Sequence, residues 1–142
     1  MNESMQAHYQ LTDSELAVQF EQLTLNPSWF THEAHIRLAW HYVRTFKARI
    51  AAQKLCEQIQ MFDRAMGKGT KYHKTVTVAL AHIIAEKQEK QLATDFRTFI
   101  QNNTDLLTDY RNLLAQHYSY DLFQDKKSKM IYVSPDVKGF HS

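Results

Sequence analysis

The chain has little of three residue types that mark cross-linked or loop-rich proteins: its 142 residues include one cysteine, two prolines and three glycines. The single cysteine, Cys56, excludes an internal disulfide framework and a cysteine-rich zinc site, and it favours a reducing compartment. The scarcity of proline and glycine argues against an all-β chain, because such chains need many turns. The composition therefore predicts an all-α fold with long helices.

The chain also lacks a charge excess and a long apolar run. It has 17 basic and 15 acidic residues, and this balance does not favour nucleic acid as a partner. No apolar stretch approaches the ~20 residues that a membrane-spanning helix needs. Met1–Gln10 has no basic segment followed by an apolar run, as a signal peptide has. We expect no nucleic-acid partner, no membrane partner and a cytoplasmic location.

What the chain does have is apolar residues at helical spacing. A hydrophobic content of 44% suits one globular domain over residues 1–142, and we expect a bundle of five to six helices. Residues 1–10 are polar and predicted to be loose. Residues 120–142 are predicted to form an irregular, extended tail, in which residues 125–129 make a basic, solvated turn.

Capping residues indicate where the helices begin. Thr12 and Glu15 form a capping box that predicts a helix to about Leu23, and Thr31 caps a second helix that ends near Thr45. Apolar periodicity and further caps predict the remaining helices at about 48–66, from Tyr72 to about Gln91, after Thr94 or Asp95, and at about 104–118.

The second helix carries two histidines three residues apart. At about 100° per residue, His32 and His35 share an apolar arc with Ile36, whereas Arg37 falls on the polar side. A buried imidazole loses solvation unless both of its ring nitrogens find partners. The pair therefore indicates a metal ion, a polar pocket, or core histidines bonded to backbone carbonyls or a carboxylate.

Two further histidines lie on apolar helix faces. His73, at the start of the helix after residue 72, falls between Leu80 and Ile84 on the helical wheel. His117 lies at a helix C-terminus, where the positive form is favoured by ~0.3–1 kcal/mol. We expect the helix of His32 and the helix of His73 to face each other, so that the two side chains share one ligand or ion.

Two short motifs resemble those of a family of small uncharacterised bacterial proteins: Phe30-x-His32-x-x-His35-x-Arg37-x-Ala39-Trp40 and Tyr72-His73-x-Thr75. Many members end near a Pro-Asp pair, which Pro135-Asp136 would match, so the resemblance covers most of the chain from Trp29 onward. It implies that the three motif histidines act together, and it implies no activity or substrate. Members often carry glutamate where this chain has Lys74, so no carboxylate at that position takes part here.

The first functional hypothesis is a metal site between two helices. His32, His35 and His73 supply three imidazoles, and a water molecule or Asp136 takes the fourth position, the open arrangement of catalytic zinc or iron. Zinc, iron or manganese would then support a hydrolytic or oxidative reaction.

The second hypothesis is a metal-free pocket that binds an anionic small molecule near helix N-termini. Its candidate residues, beside the histidines, are Trp29, Arg37, Tyr72, Thr75 and His117. A histidine in such a pocket can act as a general base.

The third hypothesis is a non-catalytic interaction domain with hydrogen-bonded core histidines, whose aromatic residues belong to the core and to a homodimer interface. The sequence does not decide whether the protein is an enzyme.

Overall fold

The first two α-helices begin at the capping side chains that the sequence predicts, in a computed structural model that describes residues 6–140. The Thr12 hydroxyl accepts from the Glu15 amide while the Glu15 carboxylate accepts from the Thr12 amide, which confirms the capping box. The Thr31 hydroxyl accepts from the Ala34 amide at 3.2 Å. Each such cap satisfies an amide that has no partner within its helix.

Residues 6–140 contain eight α-helices and no strand, so the all-α prediction is confirmed. The helices are α1 (Asp13–Glu21), α2 (His32–Thr45), α3 (Ala48–Met66), α4 (Lys74–Lys90), α5 (Phe96–Asn102), α6 (Asp105–Thr108), α7 (Tyr110–Ala115) and α8 (Lys126–Met130). Short 3-10 turns occupy Ala7–Gln10, Pro27–Trp29 and Leu122–Gln124. None of the described helices is long and apolar enough to cross a bilayer.

Helices α2, α3 and α4 form the centre of the bundle, and each packs on the other two. Helix α2 also contacts α1 and α6, so most of its surface is buried. Leu38 and Trp40, near the middle of the helix, are fully buried. His32 is exposed instead, because it lies in the first turn, at the edge of the contact between the helices.

Arg37 was predicted on the polar side of α2, and this prediction is wrong. The N-terminal segment folds over that side, so the guanidinium is buried and donates to the Asp13 carboxylate and to the carbonyls of His8 and Leu11, each at 2.8 Å. Ala7–Gln10, expected to be loose, therefore forms a 3-10 turn in which His8 is fully buried. The first five residues of the segment lie outside the described part of the chain.

The link between α3 and α4 is held by one carboxylate. Asp63 Oδ2 accepts from the amides of Lys71 and Tyr72, both at 2.8 Å. The Asp63 carbonyl accepts from the amides of Gly67 and Gly69. Gly69 has φ +72°, in the left-handed region that favours glycine. These bonds hold the start of α4 next to the end of α3.

The C-terminal third is more segmented than predicted. The helix expected at 104–118 is divided at Asp109 into α6 and α7. The basic segment expected to be a solvated turn is α8, because the Asp125 carboxylate caps it by accepting from the Ser128 amide at 2.9 Å.

Residues 131–140, which we call the strap, have no helix and run over α4 and over the segment that follows α7. Tyr118 donates its hydroxyl to the Val133 carbonyl at 2.7 Å, and the Val137 amide donates to the His117 carbonyl at 3.0 Å. The extended tail that the sequence predicts is therefore found at residues 131–140.

Candidate functional site

A cavity of about 340 Å³ lies between the N-terminal end of α2, the C-terminal half of α3 and the N-terminal end of α4. The side chains that matter most to its chemistry are Phe30, His32, His35, Phe62, Asp63, Lys71, Tyr72, His73, Tyr110 and Phe123. Ligand pockets in proteins span about 300–1,000 Å³, so this cavity suits a small molecule.

Four residues that the sequence singled out meet at this cavity. His32 and His35 come from the first turn of α2, and Tyr72 and His73 directly precede α4. The starts of the two histidine-bearing helices thus border one cavity. This juxtaposition depends on the turn that Asp63 holds between α3 and α4.

The His73 ring has a structural partner at both nitrogens. Nδ1 accepts from the Val76 amide at 3.2 Å, which makes His73 the N-cap of α4. Nε2 must then carry the proton, and it donates to the Leu122 carbonyl at 2.7 Å. Burial is the largest effect on this group and lowers the pKa of His73. The neutral ring is therefore occupied as a cap and as a link to the turn at residue 122.

His32 keeps one ring nitrogen available. Its Nε2 donates to the Leu106 carbonyl at 2.9 Å, and the ring packs against Tyr110 with centroids 4.7 Å apart. With Nε2 protonated, Nδ1 of the neutral ring is a free acceptor. Because the side chain is exposed, this nitrogen is accessible from solvent at the cavity edge.

His35 has no hydrogen-bond partner at either nitrogen within the described residues. Its partly buried ring stacks on Phe30 with centroids 5.5 Å apart and lines the cavity. Burial, with a smaller effect of the neighbouring His32, lowers the pKa of His35 to about 4. At neutral pH His35 thus presents one N–H donor and one free nitrogen acceptor.

Two of the predicted pocket residues lie next to the cavity without lining it. Trp29 is partly buried against the core, whereas its neighbours Pro27 and Phe30 line the cavity. Thr75 is fully buried, and its hydroxyl donates to the Ile131 carbonyl and accepts from the Val133 amide. The role of Thr75 is to hold the strap on α4.

The remaining predicted site residues also form hydrogen bonds elsewhere in the protein, away from the cavity. The Asp136 carboxylate accepts from the amide and the hydroxyl of Ser119, and these bonds lower its pKa. His117 donates from Nδ1 to the Lys138 carbonyl at 2.7 Å. Arg37 is engaged by the N-terminal segment. None of the three lines the cavity, so the prediction that Asp136 completes a ligand set at the histidines is corrected.

The metal arrangement predicted from the sequence is not formed by the described residues. Within residues 6–140, no three His, Cys, Asp or Glu side chains are grouped so that they could hold a metal ion. The bonds of His73 give the reason, since a ring that accepts an amide and donates to a carbonyl has no lone pair left for a metal. Two imidazoles, those of His32 and His35, retain a free nitrogen.

The sequence analysis missed several cavity residues. Phe62 and Asp63 looked like ordinary positions of α3, and Lys71 lay in a glycine-containing turn. Tyr110 and Phe123 come from segments more than 35 residues beyond the motif histidines along the chain. Helical periodicity cannot show which distant segment covers a cavity, so the sequence carried no signal for these last two.

Comparison with known proteins does not assign the chain to a family. No protein-family model matches it, and no curated protein or solved structure is significantly similar to it. The resemblance to the small bacterial family therefore stays a prediction from two motifs.

Proposed function

We propose that the cavity binds a small anionic molecule directly, without a metal held by three histidines. The observation that carries the proposal is His35, whose two ring nitrogens have no protein partner in the described residues although the ring lines a cavity. Both nitrogens keep some contact with solvent, so a ligand that bonds this ring takes the place of water there.

The surroundings of His35 favour a negative charge. Lys71 lines the cavity and supplies a cation. Helix α2 begins at His32, and a helix N-terminus acts as about half a positive charge. The cavity carboxylate, Asp63, already accepts two backbone amides. The lining of the cavity thus offers hydrogen-bond donors and a cation to an anion.

Anion binding should be coupled to proton uptake. His35 is neutral at pH 7 because its pKa is about 4, and a bound anion next to the ring favours the imidazolium form. Affinity should therefore increase as the pH is lowered from 7 toward 5, as long as the probe stays ionised. Calorimetry in buffers of different ionisation enthalpy measures the number of protons taken up.

The direct test is a titration with acids and their amides. Benzoate and cyclohexanecarboxylate are compared with benzamide and cyclohexanecarboxamide, using protein purified without an affinity tag. We expect an acid to bind at least about tenfold more tightly than its amide, since charge-assisted bonds contribute ~1.5–3 kcal/mol. Equal affinity of each acid and its amide would contradict the anion site.

Variants connect the binding to His35. His35→Leu keeps the apolar volume and removes both nitrogens, and it should weaken acid binding at least about tenfold. The matched control is His41→Leu on the same helix, because His41 does not line the cavity. Equal losses in the two variants would show that the effect comes from the helix and not from the site.

The metal hypothesis is tested by the elemental content of the same tag-free protein, purified without chelator. One equivalent of zinc, iron or manganese, lost in His35→Leu, would replace the anion proposal with a metal site that uses His32 and His35. Protein that binds neither a metal nor any of the probes would favour the third hypothesis, an interaction domain.

A further inference from the structure

The cavity walls carry two separate rows of rings. In the first row, Phe30 contacts His35 at 5.5 Å and Phe62 at 5.4 Å between centroids. The second row contains four rings in succession: His32, Tyr110, Phe123 and His73, with centroid distances of 4.7, 6.1 and 5.8 Å. All seven rings line the same cavity.

No ring of one row contacts a ring of the other row in the described part of the chain, although contacts run through each row. Aromatic rings that interact have centroids about 4.5–7 Å apart. The two rows are therefore separate groups of rings, and both line the same cavity. A gap with ring-bearing walls offers stacking and edge contacts to a flat ring placed inside it.

The second row is fixed in place at both of its ends. The two terminal imidazoles bond carbonyls, His32 to Leu106 and His73 to Leu122. Arg111 packs its guanidinium over Phe123, 4.2 Å from the ring centroid, and it does not line the cavity. The row is thus preorganised, so a ligand ring does not have to order it on binding.

We propose that the anionic ligand is a planar aromatic acid, with its ring between the two rows of rings and its acid group at His35 and Lys71. This inference rests on the proposed function and adds the chemistry of the ligand's body to it. The cavity volume of about 340 Å³ limits the ligand to one or two rings, since it lies near the lower end of the range for ligand pockets.

The experiment compares two acids that share charge and approximate size and differ in ring type. Benzoate is flat and aromatic, whereas cyclohexanecarboxylate is thicker and saturated. We expect benzoate to bind about threefold to tenfold more tightly, the range of one or two favourable ring contacts. Equal affinity, or a preference for the saturated acid, would overturn this inference while leaving the anion site intact.

The two amides show whether the aromatic preference holds without the negative charge. If benzamide binds as well as benzoate and both bind better than the saturated pair, the aromatic cavity stands and the anion site fails. If none of the four probes binds, both proposals fail.

Ring variants test the place of the ligand. Tyr110→Leu and Phe123→Leu should each remove most of the preference for benzoate and leave the affinity for cyclohexanecarboxylate nearly unchanged. Phe46→Leu is the control, since Phe46 is exposed and lies outside the cavity. A preference retained in both cavity variants would overturn the inference. If these variants do not fold, the acid pair on the unmodified protein still decides it.

Discussion

The histidines on apolar faces differ in role because their ring nitrogens meet different partners. His73 and His117 donate to backbone carbonyls, and the ring of His8 lies against the Arg37 guanidinium, with Nδ1 3.2 Å from it. His35 bonds no described residue, and the proposed site is therefore centred on it. Position on a helical wheel does not distinguish these cases, since the partners come from segments far away in the chain.

Two of these histidines should make the protein less stable below neutral pH. Burial lowers the pKa of His8 and of His35 from 6.5 to about 4, so the unfolded chain binds protons that the folded chain excludes. Between about pH 6.5 and 4 the free energy of unfolding should fall as the pH falls, by up to about 1.4 kcal/mol per pH unit for each histidine. Urea denaturation at a series of pH values measures this slope.

A variant without the His35 ring measures how much His35 contributes to this pH dependence. In His35→Leu the slope should decrease by up to about 1.4 kcal/mol per pH unit, because His35 no longer titrates while His8 and the other histidines with a lowered pKa still do. A slope identical to that of the unmodified protein would show that His35 is protonated equally in both states and would contradict its low pKa.

The cap of α4 does more than stabilise the helix, because it also positions a wall of the cavity. His73 accepts from the Val76 amide and donates to the Leu122 carbonyl. It thereby ties the start of α4 to the turn that carries Phe123, a wall of the cavity. To ligate a metal through Nδ1, the same ring would have to give up its bond with the Val76 amide.

His73→Ala should destabilise the protein by about 1–3 kcal/mol, since it removes a cap and a buried hydrogen bond. His73→Asn keeps a side-chain acceptor for the Val76 amide and should cost less. Urea denaturation measures both losses. Loss of all ligand binding in an Asn variant of normal stability would instead make His73 a ligand-binding residue.

The anchoring of the N-terminal segment on α2 should depend on Arg37. Arg37→Met leaves the Asp13 carboxylate and the carbonyls of His8 and Leu11 without their donor, and we expect a loss of about 3–5 kcal/mol. Arg44→Met is the matched control on α2, because Arg44 is exposed and packs over the Trp40 ring. The prediction fails if the two variants are equally stable in urea denaturation.

At the scale of the molecule, the cavity and the strap are separate parts of one bundle. No residue of the strap lines the cavity. The strap is held by Phe140, whose ring lies 5.0 Å from His82 and 4.4 Å from His117 between centroids, and by the bonds of Thr75 near its other end.

Phe140→Ala should therefore loosen the strap without changing the site. We expect a stability loss of about 1–3 kcal/mol from two aromatic contacts and the buried ring area, and faster proteolytic cleavage within residues 134–140. Affinity for benzoate should stay within about twofold of the unmodified protein. A large loss of affinity would show that the strap and the cavity are coupled.

Local features of the sequence by themselves determined the four helices α1 to α4, the capped starts of α1 and α2, and the presence of two histidines in one first turn. These features depend on contacts between residues three or four apart, such as Thr31 with the Ala34 amide, which the sequence displays directly. Only the tertiary structure decided that Arg37 is buried, that His73 is a cap, and that Tyr110 and Phe123 close the cavity. Those outcomes depend on which distant backbone groups and rings come within bonding distance, and that is set by the packing of the whole bundle.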